Sequence, residues 1–267
     1  MTGSTTNLKG VQKTAAGWFK SRSFFIILSI AAMILIWQIL SVFFSQIIIA
    51  SPAATLRALG TLMADGELWK QFGYSLGRLL LGLAAGAVCG ITLGVLAGAN
   101  YRVRYFLEPM RWTITTVPVI ILTVLAMLWF GMGSLPVLFL TGVTTTPIIY
   151  VNILEGMLAI DSRITEMAQV YKITSNLRLT QIYLPGIGTS IMAGLTTASG
   201  IAVRASILAE FVGGRNGIGH SLYISWTFLD TPSLFAWILA AFALMGLVEF
   251  AILRPIRDRL MRWKANP

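Results

Sequence analysis

Apolar residues gather into six long blocks, at about 24–48, 73–98, 110–131, 134–156, 187–211 and 233–253. A bilayer core of about 30 Å takes roughly 20 apolar residues in helical form, so each block predicts one membrane-spanning helix. The polar stretches between them are patterned too. After the first block, Ser51-Pro52 opens a segment in which Leu56, Leu59, Leu62 and Met63 recur at helical spacing. That pattern predicts an amphipathic helix lying on the outer membrane surface, with a ledge for a docking partner as the alternative. Pro118 interrupts the third block, and Gly131, Gly133 and Pro136 predict a very short outer turn before the fourth. After the fifth block, Gly213, Gly214, Gly217 and Gly219 predict a short re-entrant or surface turn, part of an outer gate or dock.

Composition narrows the class. Of 267 residues, 56% are hydrophobic and 11% charged, too few charges to cover a water-facing surface, which carries about 25%. The reading is one all-α integral membrane domain at 24–256, with a tail at 1–23 and a basic tail at 257–267. The stretch from Phe24 is longer than the apolar core of a signal peptide, so it reads as an uncleaved first span. The net charge of +10 could point to nucleic acid, but its placement does not. With the N-terminus cytoplasmic, 15 of the 20 basic residues fall on the inner side, at positions 9–22, 102–111, 163–178 and 254–264. Such a bias puts both termini in the cytoplasm of an inner-membrane protein, its positive charge facing anionic headgroups. The lone cysteine, Cys89, forms no internal disulfide and reads as a small buried hydrophobe.

Three features inside the spans bear on packing or chemistry. Gly82, Gly86, Gly90, Gly94 and Gly98 recur every four residues, a ridge that lets a second helix approach closely; a sliding surface is the functional alternative. Thr144, Thr145, Thr146, Pro147 and Asn152 form a polar cluster at membrane depth. Threonines there either satisfy the carbonyl that proline frees or line a passage. Thr196, Thr197 and Ser199 add hydroxyls to the fifth span, and Arg204 and Glu210 add charge. An arginine inside a span must face protein or water. It either pairs with an acid such as Glu210 or contacts an anion in the path.

The segment 157–185 leaves the membrane on the cytoplasmic side. Ile164, Met167, Ala168 and Tyr171 fall on one helical face, so a short amphipathic helix has an apolar side to bury. Thr174, Ser175 and Asn176 supply cap and turn chemistry, and Pro185 suits a helix start. Glu166, Ala168, Ile182, Leu184 and Pro185 resemble the EAA loop of ABC-importer permeases, with that family's spacing from Glu to Pro. Met167 replaces the first alanine. Lys172 stands at the usual glycine; lysine rarely adopts positive φ, so the bend is expected to be built differently. The blocks SPAATLRAL, DGELW, SLGRLLLG, LWFGMG, VNILEG and AEFVGGRNGIGHSL resemble the taurine, sulfonate and nitrate branch.

The resemblance implies a type I ABC importer (MetI-like) permease fold acting as a homodimer, a heterodimer of related permeases being the alternative. Glu166, Met167, Ala168, Tyr171, Lys172, Leu184 and Pro185 would form the coupling helix and its return. These would seat on two ABC ATPase subunits that bind ATP and Mg, this chain binding no cofactor or metal itself. Thr144, Thr145, Asn152, Thr197, Arg204 and Glu210 would border the path for a solute brought by an extracytoplasmic binding protein. A sulfonate or nitrate is expected, with a vitamin or pyrimidine precursor as the alternative. No phosphate-loop motif occurs, so the chain is not itself the ATPase. A free-standing channel or secondary transporter would leave the loop unexplained. A membrane hydrolase built on His220 and Ser221, adjacent in sequence, lacks the geometry a nucleophile needs.

Overall fold

The computed structural model describes residues 9–255 and Asp258; the basic tail at 257–267, apart from Asp258, and residues 1–8 lie outside it. Helices follow one another as α1 (Lys9–Phe43), α2 (Pro52–Ala64), α3 (Glu67–Ala99), α4 (Tyr101–Thr116), α5 (Val119–Phe130) and α6 (Ser134–Leu158). Then come α7 (Ser162–Val170), α8 (Ser175–Arg178), a π-helical turn (Leu179–Tyr183) and α9 (Leu184–Gly186). Next are α10 (Gly188–Gly213), α11 (Ile218–Thr227) and α12 (Thr231–Gly246), the last running on as a π-helix to Leu253. Among the described residues, five helices are long and apolar enough to cross a membrane, or six if α4 and α5 count as one broken span.

The broken span has the interruption expected at Pro118, but it starts earlier than the 110 expected. The helix begins at Tyr101, and α4 and α5 meet at 99°. Pro118 is the cause: its ring disfavours helical geometry at the preceding residue, and Val117 takes φ −68°, ψ 126°. The second span starts at Glu67 rather than 73; the first runs over Phe25–Phe43, on a helix that extends back to Lys9. The surface helix forms as α2, with the Ser51 hydroxyl accepting from Ala54 N–H at 3.2 Å. The glycine-rich turn is present, but it opens into a ten-residue helix, α11. Cys89 corrects another expectation, being exposed on α3 rather than buried.

The core lies where α3, α6 and α10 meet, around Leu79, Ile149, Ile153, Ala198 and Ala202, all under 1% exposed. The glycine ridge explains its tightness. Gly82, Gly86, Gly90, Gly94 and Gly98 of α3 face Thr141, Thr145, Ile149, Ile153 and Met157 of α6, a constant offset of 59 positions. A constant offset means parallel helices in register over four turns. A Cβ added at Gly82, Gly90 or Gly94 would sit 2.7–2.8 Å from the partner's Cβ, inside van der Waals contact. The ridge is therefore a seam within one chain. By contrast α1 is exposed along its apolar length; the Trp37 indole donates to the Ala50 carbonyl at 2.9 Å and stacks on Phe235 at 5.7 Å.

Candidate functional site

Two polar constellations sit at opposite ends of this core. At one end, α6 runs into the loop that holds α7. The α7 helix ends on a Schellman turn: the Ile173 N–H donates to the Ala168 carbonyl at 3.0 Å, and Lys172 between them takes φ +48°. The bend is thus built as glycine would build it, with a lysine in the left-handed region. The expectation of a different construction is corrected. Lysine carries about 1–2 kcal/mol of backbone strain there. Ala168 is fully buried, whereas Ile164, Met167 and Tyr171 are 43%, 50% and 75% exposed and Val170 is 78% exposed. The apolar face read from the sequence is split, with one residue held inward and its neighbours presented to the outside. Glu166, Leu184 and Pro185 are exposed beside it. A cavity of about 470 Å³ separates this loop from the ends of α6 and α10, lined by Ile160, Asp161, Ile164, Gln181 and Thr189 among others.

At the other end, Gln71, Ser75 and Arg78 lie on one face of α3 at i, i+4 and i+7. All three turn inward, against the start of α11. Glu210 of α10, fully buried, receives Ser75 and Arg78. Its Oε1 accepts from Arg78 Nη1 at 3.0 Å; its Oε2 accepts from Ser75 Oγ at 2.6 Å and from the Gly219 N–H at 3.1 Å. Arg78 also donates to the Asn216 carbonyl at 2.7 Å, to the Asn216 side-chain oxygen and to Ser134 Oγ at 3.0 Å. The Ile218 N–H donates to Ser75 Oγ at 2.8 Å and the Gly217 N–H to Gln71 Oε1 at 2.5 Å. So three of the N–H groups that begin α11, those of Gly217, Ile218 and Gly219, are received by α3 and Glu210, and the carboxylate sits where a helix N-terminus favours negative charge. Gly217 has φ +106°, and a Cβ there would lie 2.5 Å from the Glu210 carboxylate, which fixes glycine at that turn.

The chain matches the family described as binding-protein-dependent transport system inner membrane component over residues 90–263. The chain belongs to that family. The permease is 28% identical to SsuC of Bacillus subtilis, named as an aliphatic sulfonates transport permease, over 97% of this chain and 94% of that one. It is 30% identical to SsuC of Escherichia coli, covering 88% and 89% of the two chains. The formylaminopyrimidine transport permease protein ThiX of Halalkalibacterium halodurans is 26% identical, covering 87% and 92%. An inward-facing structure of the MetNI methionine ABC transporter superposes with a TM-score of 0.60 at 19% identity, over 73% of this permease and 96% of that chain; this likeness shows the shared fold.

The polar residues expected along a path separate into two groups in the permease. Thr144 and Thr145 are buried, and their hydroxyls donate to the carbonyls of Leu140 and Thr141 at 2.8 and 2.7 Å. The Asn152 amide donates to the Ile148 carbonyl at 2.9 Å. These side chains serve the α6 backbone around Pro147. Glu210 is enclosed in the constellation just described and borders no open space. Its pairing with Arg204 is corrected: the salt bridge is to Arg78. Thr197 and Arg204, by contrast, share one exposed face of α10, seven residues apart. Among the described residues Arg204 has neither a hydrogen bond nor an ion pair. Sequence reasoning missed Gln71, Ser75, Arg78 and Asn216. The signal available was Arg78 itself, an arginine within an apolar span that calls for an acid.

Proposed function

We propose that in this chain, a multi-pass inner-membrane permease of an ABC importer, the α7 loop is the coupling element and seats in a cleft of a separate ATPase subunit. The exposed cluster Ile164, Met167, Val170 and Tyr171 carries this reading. It leaves four apolar side chains of one short cytoplasmic segment without cover from their own chain, next to Glu166 of the EAA-like motif. Two permease copies and two ATPases would make the importer, with both termini of each copy in the cytoplasm, as the placement of the basic residues favours. An extracytoplasmic binding protein would deliver the solute. Between the copies, the α10 face with Thr197 and Arg204 would border the path. An unpaired guanidinium there favours an anion, and the similarity to the two sulfonate permeases makes a small sulfonate the leading substrate.

The test is co-purification of the permease with its ATPase after Met167→Glu and, separately, Glu166→Lys. Loss of the ATPase, with insertion and permease stability kept, is the expected result. Retention of a fully stimulated ATPase by both variants would refute the coupling role. Uptake of a labelled alkanesulfonate, competed by a formylaminopyrimidine, then separates the two substrate readings.

A further inference from the structure

A cavity of about 110 Å³ lies between α3, α4 and α6, walled by Leu93, Leu107, Met110, Ile114 and Pro147. Arg111 and Tyr150 also line it. Tyr150 is 3% exposed, and its hydroxyl has no hydrogen-bond partner. A buried hydroxyl left unpaired is destabilising unless something satisfies it. The hydroxyl lies within electrostatic range of Glu108, Arg111 and Arg104. Leu93 and Tyr150 fall six and eight residues short of the ends of α3 and α6, about 9–12 Å along the axis. The cavity therefore sits about two turns in from the helix ends, at the end of the bundle that carries the α7 loop.

The helix over this cavity is α4, and none of its residues is buried. Its free surface mixes aromatic rings with guanidinium groups. Tyr101, Tyr105 and Trp112 are 60–67% exposed, and Arg102 and Arg104 stand over the Tyr101 and Tyr105 rings at 5.9 and 5.6 Å. Amphipathic rings and cations belong at a membrane interface, and three arginines against one glutamate leave the face positive. Glu108 ties up Arg111 through a short ion pair.

We infer that this is a binding site for one anionic phospholipid. An acyl segment fills the apolar cavity, the phosphate lies against Arg104 and Arg111, and the Tyr150 hydroxyl donates to a phosphate or ester oxygen. Charge complementarity selects an anionic headgroup over phosphatidylcholine. The inference uses the membrane permease assignment alone and is independent of the coupling role and of the substrate.

Native mass spectrometry of the full-length permease, titrated with phosphatidylglycerol or phosphatidylcholine of the same chains, tests it. Phosphatidylglycerol should be retained more tightly. Arg111→Gln should weaken it about fivefold, the effect of one basic group at a membrane surface. Tyr150→Phe, which removes only an oxygen the free protein leaves unpaired, should weaken it while leaving thermal stability unchanged or raised. Glu108→Gln should strengthen it by freeing Arg111. Equal retention of the two lipids, or insensitivity to all three substitutions, would overturn the site. So would competition by millimolar glycerol phosphate, which marks a free-anion site. Efficient cross-linking of Tyr105→Cys between two copies would also overturn it, because α4 would then be covered by protein.

Discussion

Replacing Glu210 by glutamine is the sharpest perturbation of the Arg78–Glu210 constellation. The side chain keeps its size and one carbonyl oxygen, but the charge goes. Its new amide group donates, where Arg78, Ser75 and the Gly219 N–H all bring donors. Arg78 keeps its bonds to Asn216 and Ser134 but loses its counter-charge, with its side chain only 8% exposed. Stranding a buried charge in this way costs about 3–5 kcal/mol. Arg78→Met strands the carboxylate and should cost a similar amount. The double variant strands neither, so it should be less destabilised than the two single changes added together, by about 1–3 kcal/mol. Denaturation of the purified permease in mixed micelles reads this cycle. Arg204→Gln, run beside it, should leave stability within about 0.5 kcal/mol. Additivity of the first pair within about 0.5 kcal/mol, or destabilisation by Arg204→Gln as large as that by Glu210→Gln, would refute the assignment.

Three further outcomes follow from other positions. Gly90→Ala and Gly94→Ala should destabilise by about 1–3 kcal/mol through overpacking against Ile149 and Ile153, whereas Gly73→Ala and Gly77→Ala, with open space around them, should gain up to about 1 kcal/mol of helix propensity; denaturation of the four variants separates a packed seam from a generally glycine-tolerant helix. Lys172→Gly should relieve the left-handed backbone and raise α7 amide protection by up to about 1–2 kcal/mol, while Lys172→Val should lower it, read by hydrogen exchange. If Arg204 meets an anionic solute, Arg204→Lys should keep partial uptake and Arg204→Gln nearly none, with assembly unchanged for both; equal uptake by the two variants would remove Arg204 from the path.

The spans were legible because bilayer thickness imposes a length and a composition on each helix. The ridge from Gly82 to Gly98 was legible as a close approach, yet its partner was not, since a four-residue period on α3 does not say which helix carries the matching one. Glu210 stood out as an acid near the end of a span. Its partner Arg78 is 132 positions away, and no local periodicity links the two; Arg204, six residues from it, was the nearer cation in sequence but lies on another face of α10. The 99° bend was half visible in Pro118: a proline forecasts a break, but the angle depends on what the two pieces pack against. The bend at Lys172 went the other way. A rule of thumb about lysine was overridden because the Schellman bond to Ala168 holds the backbone in place.

Helix α6 joins the two ends of the molecule. Its first residue, Ser134, accepts from Arg78, and its last turn leads directly into the α7 loop. Along its length it is fastened to α3 by the glycine seam, making a double-walled strut of 25 residues on the α6 side, about 37 Å long. Two parallel helices locked in register resist bending and sliding together. If the loop couples as proposed, a push delivered there would arrive at the Arg78–Glu210 pair as displacement rather than being absorbed on the way, and the give in the subunit would lie off the strut, at the Pro118 elbow and the π-helical turns.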